Sequence, residues 1–346
     1  MSKKNNLTLF FILLLFIYGL PYKPSPEVQL LSSGTKTSLR GLSVVNDNVV
    51  WVSGSNGMVG RSSNAGKTWN WMTVKGFETI EFRDIEAFDA NTAIIMGIGE
   101  PAHILKTTDA GNTWKVVYEN QTKGMFLDAM DFSTPLHGLV VGDPLNHSIF
   151  LAETLDGGNT WKQKQFTGLH AMADSGEAFF AASGSNLRLF ENNEFFLVSG
   201  GTKSRLITKT GSSPLPIVQG KSSTGTNSID IFDDGIPNKP GKRMVIVGGD
   251  FAADSLTHNN CFYSNNRGKS WQKPKIPPHG YRSCVEYLSR TELLSCGPNG
   301  VDYSENGGKT WQWISSEGFH VCRIARSGSA IFLAGSGGKI AKLVWR

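Results

Sequence analysis

The stretch Thr107-Thr-Asp-Ala-Gly-Asn-Thr-Trp114 constrains this chain more than any other feature, because four close copies of it recur. They are Ser62-Ser-Asn-Ala-Gly-Lys-Thr-Trp69, Thr154-Leu-Asp-Gly-Gly-Asn-Thr-Trp161, Ser264-Asn-Asn-Arg-Gly-Lys-Ser-Trp271 and Ser304-Glu-Asn-Gly-Gly-Lys-Thr-Trp311. Each place in the pattern has a physical task in a tight turn between two strands. Asp or Asn folds onto the backbone amides ahead of it, Gly takes a positive φ, and Trp leaves the turn as an apolar anchor. Five copies of an eight-residue pattern make this a repeat protein.

Two apolar strand-like runs precede each turn, the second ending in Gly. The first unit has Leu39 to Val45 and Val49 to Val52 before Gly54; the second has Phe82 to Phe88 and Ala93 to Met96 before Gly97; the third has Phe126 to Phe132 and Gly138 to Val141 before Gly142. A fourth unit is read from Glu177 to Ala182 and Glu194 to Val198, with Thr208 to Leu215 filling the turn slot without its Asp and Trp. The fifth runs from Ser228 to Phe232 and Met244 to Val247, with a Pro- and Gly-rich surface loop at Asp233 to Lys242; the sixth uses Ser283 to Leu288 and Glu292 to Ser295. The last unit supplies three strands, Phe319 to Ala325, Ala330 to Ala334 and Lys339 to Leu343, and then ends. An unassigned strand-like run, Glu27 to Leu31, can complete it and leave no open sheet edge between the two ends. The expected fold is all-β: a seven-bladed β-propeller of four-stranded blades over residues 23–346, the last blade closed by the N-terminal strand. A β-helix is the main alternative, but its rungs are shorter than a spacing of about 45 residues between Trp turns.

Composition agrees with many short strands: 39 glycines, 20 phenylalanines and 9 tryptophans among 346 residues, with only 18% charged. The net charge of +5 is mild and the basic residues are scattered, so no nucleic-acid partner is expected. Lys3 and Lys4 precede an uncharged apolar run, Leu7 to Leu20, followed by Pro21, Pro24 and Pro26. That is the layout of a signal peptide, assigned to residues 1–22, with an uncleaved N-terminal anchor as the alternative because no small-x-small cleavage site is clear. Export to the periplasm or the exterior is expected, with the membrane met only through that segment. Cys261, Cys284, Cys296 and Cys322 match no zinc spacing. Cys284 and Cys296 flank a hairpin turn near Ser289-Arg290 and are placed either as disulfide partners or as buried small hydrophobes.

In a propeller the octapeptide turns lie on one face, and the loops entering the innermost strands lie on the other. Function is expected on that opposite face, where loops vary on a rigid scaffold. The residues entering the innermost strands are Arg40, Arg83, Asp128, Glu177, Asp230, Arg282 and Arg323. Arg40, Arg83, Arg282 and Arg323 follow at one apparent register in units that are contiguous around a closed ring, and Lys203 and Arg205 add charge. Such a crescent suits a carboxylate or other anion, for which the planar fork of Arg is shaped; the competing assignment pairs each Arg with a local carboxylate such as Asp84, Glu86 or Glu286. Secondary candidates at the same mouth are Asp143, Glu177, Asp250, Tyr281 and His320.

The octapeptide is similar to the Asp-box, the bacterial neuraminidase repeat found in sialidases and in non-enzymatic propellers. With its seven units and the segments Gly176-Glu-Ala-Phe-Phe-Ala-Ala-Ser-Gly184 and Gly280-Tyr-Arg-Ser-Cys-Val-Glu286, the chain resembles the photosystem II stability and assembly factor family and its exported relatives in non-photosynthetic bacteria. That resemblance implies a chaperone-like binder acting through an arginine patch, carried here to Arg40, Arg83, Arg282 and Arg323. The expectation is a monomeric, non-catalytic assembly factor or scaffold binding a protein or peptide, with a carboxylate on the partner as the natural ligand. The alternative is a sialidase-like glycoside hydrolase using Tyr281 with Glu286 or Glu177, although no Arg-Ile-Pro stretch precedes the first octapeptide. An oxidoreductase, a label sometimes attached to the family, has no dinucleotide turn, haem motif or Cys pair to support it. No cofactor, metal or catalytic residue is assigned.

Overall fold

The computed structural model describes residues 24–31, 33–235 and 241–346. The signal segment expected over 1–22, or its anchor alternative, lies outside the described residues, as does the tip of the Asp233–Lys242 loop. Among the described residues no helix is long and apolar enough to cross a membrane.

The chain forms a seven-bladed propeller of four-stranded antiparallel blades. The innermost strands, in order around the ring, are Leu39–Val44, Phe82–Ala87, Leu127–Phe132, Leu187–Leu189, Thr224–Ile231, Cys284–Tyr287 and Val321–Ile324. Pro26–Leu31 pairs with Ile340–Trp345, with Glu27 opposite Val344 and Leu31 opposite Ile340, and so supplies the fourth strand of blade 7. An apolar cluster runs without a break from Cys284 and Leu294 of blade 6 through Phe319 and Phe332 of blade 7 to Leu39 and Val52 of blade 1, with Val28 and Leu31 packed against it. The two ends of the chain thus meet inside one core.

The five octapeptides share one hydrogen-bond plan. In the Thr107 copy, Asp109 Oδ1 accepts from Thr113 N at 2.9 Å, and Thr107 Oγ1 accepts from Gly111 N at 3.0 Å. Ser62 with Asn64, Thr154 with Asp156, Ser264 with Asn266 and Ser304 with Asn306 repeat these bonds. Both Ala110 and Gly111 have positive φ, so the turn uses two left-handed residues where the sequence reading placed one. The glycine has a second duty: a Cβ on Gly111 would lie 2.6 Å from Met72 Sδ of the preceding blade, and one on Gly158 would lie 2.2 Å from Ile94 Cδ1. Turn and blade seam are therefore one feature.

Blade 4 departs from the expected layout. Glu177–Ala178 is not its first strand; it pairs with Gly200–Gly201, which extends the inner side of the blade 5 sheet. The inner strand is the short Leu187–Leu189, and the slot expected at Thr208 to Leu215 is a tight hairpin between Arg205–Thr208 and Gly211–Pro214. The apolar run from Ala178 to Ala182 reads as a strand because it is buried, yet it is used elsewhere, inside the channel.

Removing residues up to and including Leu31 exposes Ile340–Trp345 as a free edge and uncovers the packing of Val28 and Leu31. We expect urea unfolding to show a loss of about 3 kcal/mol or more, and size-exclusion chromatography to show concentration-dependent association.

Candidate functional site

The expected crescent of four arginines does not assemble. Arg40 sits in a bulge between Leu39, opposite Gly54, and Gly41, opposite Ser53; Arg83 occupies the same bulge between Phe82 and Asp84. In blade 6 that place belongs to Ser283, because Cys284 stands opposite Cys296, and in blade 7 to His320, because Val321 stands opposite Ala334. Arg282 therefore falls one residue early, is 0% exposed, and donates to Asp302 Oδ2 at 2.6 Å and to Asn299 Oδ1 at 2.5 Å. Arg323 falls deeper in the channel. A one-residue change of register reverses the face to which a strand side chain points, so an Arg repeated in sequence need not repeat in space.

Gly176 to Asn186 crosses the axis as a plug. Arg40 Nη1 donates to Ala182 O at 3.4 Å, Arg323 Nη2 to Ser183 O at 2.8 Å, and Phe179 N to Asp143 Oδ1 at 2.9 Å. Ser183 Oγ donates to Ser283 O at 2.7 Å and Ser185 Oγ to Ser228 Oγ at 2.8 Å. Gly184 has φ +65, and a Cβ there would stand 2.3 Å from Asp84 Oδ2, so only glycine lets the plug lie against blade 2. One short peptide from blade 4 thus touches the other six blades.

The plug closes the mouth into a blind cavity of about 520 Å³. Arg40, Arg83 and His320 line it from blades 1, 2 and 7; Phe180, Phe251 and Tyr281 line it from the opposite side. The three rings form an edge-to-face chain, Phe180 to Phe251 at 5.8 Å and Phe251 to Tyr281 at 6.2 Å, and Phe251 is 49% exposed. Asp143 and Asn227 supply polar groups. Of the other expected residues, Asp250 accepts from Ala252 N in a turn beside the mouth, Lys203 pairs with Asp174 on the exterior, and Arg205 forms a buried pair with Glu177. The mouth-lining Phe126, Phe179, Phe180, Phe251 and Pro298 escaped the sequence reading. The pair Phe179-Phe180 was visible, but as strand hydrophobes.

No family model and no curated protein matches the sequence. Solved structures do. The chain is similar to YCF48 bound to D1 peptide, with a TM-score of 0.65 and 17% identity over 94% of this chain and 96% of that one. It is similar to YCF48 from Cyanidioschyzon merolae, with a TM-score of 0.66 and 16% identity over 91% and 98% of the two chains, and to the WD40 β-propeller domain of Doa1, at 0.60 and 12% over 92% and 97%. These likenesses show the fold.

Electrostatics make the side of the mouth cavity that carries Arg40 and Arg83 more cationic than its composition implies. Burial, with the nearby Asp143 charge, pushes the Asp128 carboxyl well above its ordinary range, and burial also raises Asp143. Burial and the charges of Arg40 and Arg83 lower His320 to about 3, so its ring is neutral at physiological pH. Its Nε2 lies 2.8 Å from Ser336 Oγ. Arg83 donates through Nε to Glu81 Oε2 at 2.7 Å at the rim, the local pairing that the sequence reading kept open. Tyr281 donates to Asn227 Oδ1 at 2.8 Å and meets neither glutamate: Glu177 is bound by Arg205 and Ser199, and Glu286 by Arg188.

Below the plug is a second cavity of about 190 Å³, opening on the face of the octapeptide turns. Each inner strand sends one residue to it at a common level: Ser43, Glu86, Asp131, Arg188, Asp230, Glu286 and Arg323. Arg188 bridges Asp230 at 2.9 Å and Glu286 at 3.3 Å, while Arg326 pairs with Glu86. This is where Arg323 and Glu286 belong, and the seven-fold arrangement emerges only once the bulges are counted.

Two outcomes follow. Arg282→Ala leaves Asp302 buried without its partner and is expected to cost about 3–5 kcal/mol in urea unfolding, whereas Arg83→Ala, which breaks a rim pair, costs about 1 kcal/mol or less. Asp84 is raised to about 7 by burial, against the hydrogen bonds from Met130 N and Ile85 N. Because its folded value exceeds the unfolded one, the neutral carboxyl stabilises fully below the ordinary aspartate range, and that contribution is lost as pH rises through about 7. Unfolding free energy measured from about pH 5 to 8 should fall, and the slope should be shallower in Asp84→Asn.

Proposed function

We propose that this chain is an exported, non-catalytic propeller of the assembly-factor or scaffold type that binds a protein or peptide at the plugged mouth. The observation that carries this is the division of the cavity: Arg40 and Arg83 on one wall, and Phe180, Phe251 and Tyr281 on the other. An anionic group of the partner sits on the two guanidinium groups, and an apolar side chain of the partner lies against the aromatic wall. A carboxylate is the anion that fits an arginine fork best, and the Glu81 contact at the exposed rim is weak enough to be exchanged for it. Asp143, Tyr281 and His320 bound the same cavity and set its polar edge. Arg282 and Arg205 serve as buried structural cations, and Lys203 stands outside.

Support comes from the similar YCF48 fold, which has been solved with a D1 peptide bound. The five octapeptides are read as Asp-boxes that fasten blades, on the face away from the ligand, and the segment over 1–22 as the export signal. The protein is expected to act as a monomer without a cofactor.

The test is fluorescence anisotropy with a library of short labelled peptides ending in Phe or Leu, in free-carboxylate and amidated forms. The free-carboxylate peptides should bind, amidation should weaken them, and Arg40→Ala/Arg83→Ala should weaken them by about tenfold or more. Equal affinity of the double variant sinks the proposed site.

A further inference from the structure

Three of the four cysteines come together where blades 6 and 7 meet beside the plug. Cys284 and Cys296 are opposite partners in a strand pair, and Cys322, on the inner strand of blade 7, brings its Sγ to 3.8 Å from Cys284 Sγ. All are free thiols and fully buried. Arg323 Nη1 donates to Cys284 Sγ at 3.0 Å, and Ser185 Oγ of the plug lies 3.7 Å from the same sulfur. The other end of that guanidinium, Nη2, holds Ser183 O of the plug at 2.8 Å. Arg323 also lines the lower cavity, so Cys284 stands one side chain behind a space that a water-sized molecule can enter.

The thiols are chemically unequal. Burial alone would push Cys284 up, but hydrogen bonds from Cys296 and Cys322 and the Arg323 charge hold it well below its ordinary range. Burial, together with the sulfur at Cys284, drives Cys322 well above its own. A sulfur that accepts from a guanidinium, with a second thiol in contact, is the arrangement of a nucleophilic and a resolving cysteine.

We propose that Cys284 and Cys322 form a peroxide-reactive pair that closes to a disulfide across the seam between blades 6 and 7. The Cys284 sulfur attacks one oxygen of hydrogen peroxide; the O–O bond breaks, the sulfur keeps one hydroxyl as sulfenic acid, and the other leaves as hydroxide and is protonated to water. Cys322 then attacks that sulfur, the S–O bond breaks, and the hydroxyl departs as a second water with the Cys322 proton. Two thiols lose two electrons and one peroxide becomes two waters. The sulfurs must close from 3.8 Å to about 2.05 Å. The disulfide also removes one of the acidic groups beside Arg323, leaving Glu286 at 3.8 Å, so the hold on Ser183 at the floor of the mouth changes with the oxidation state.

The test uses the reduced full chain treated with near-stoichiometric hydrogen peroxide, then denatured, alkylated and mapped by mass spectrometry. The expected result is a Cys284–Cys322 cross-linked peptide, with Cys261 and Cys296 alkylated. In Cys322→Ser, dimedone should label Cys284 as the sulfenic acid. At about pH 6 Arg323→Gln should react more slowly than the wild type by about tenfold or more, and its rate should climb more steeply with pH; Glu286, 3.8 Å from Arg323 and raised by burial to about 8, titrates in the same range in both proteins, so the comparison is between the two slopes. Four alkylatable thiols after treatment, or a cross-link through Cys296 or Cys261, overturns the proposal. The wild-type map decides even where a variant does not fold.

Discussion

The seam between neighbouring blades is the constraint on which this molecule depends. Adjacent sheets are joined mainly by side chains, so every blade must present a surface that the next can approach closely. The octapeptide meets that need twice. Its Ser/Thr and Asp/Asn lock the turn against its own amides, and its glycine removes the one Cβ that would collide with the blade before it, as at Gly158 over Ile94 and Gly66 over Leu31 and Phe332. The Trp that follows fills the remaining space, as Trp114 does edge-to-face on Trp51 at 6.5 Å.

A ring of seven sheets leaves an axial hole, and the way it is filled decides the chemistry available. Here the segment around Ser183 and Gly184 fills it, held by Arg40 from one blade and Arg323 from another. The channel becomes two separate cavities: an upper one with a cationic and an aromatic wall, and a lower one ringed by carboxylates and arginines. The carboxyl groups near the plug, Asp84, Asp128 and Asp131, are raised by burial, so the arginines keep more of their field than formal charge counting allows. The same guanidinium that supports the plug polarises Cys284, which links the floor of the mouth to the seam of blades 6 and 7.

The blade count, the closing strand and the face of the octapeptide turns were legible because each rests on a local pattern: a turn recurring at a near-constant spacing, paired apolar runs, and a leftover strand at the N-terminus. Arg40 and Arg83 were legible for the same reason, each following an apolar residue at the entrance to an inner strand. Arg282 and Arg323 follow the same pattern and are misplaced by it, since an apolar residue before an Arg does not fix the register with the partner strand: Arg282 falls one residue before the place that Arg40 and Arg83 occupy, and Arg323 three residues after it. Glu177 to Ala182 was taken for a strand because burial, which is what apolar composition reports, is the same for a strand and for a plug.

By itself the sequence determined that this chain is a closed ring of seven antiparallel blades, because turn chemistry and strand period act over a few residues. Only the tertiary structure decided which arginines reach the mouth, that a plug divides the channel, and that three cysteines from two blades gather with one of them, Cys284, against a guanidinium. Those outcomes depend on bulges and on contacts between residues about 100 or more apart in the chain, such as Ser183 with Ser283 and Arg323 with Ser183, for which no local pattern carries a signal.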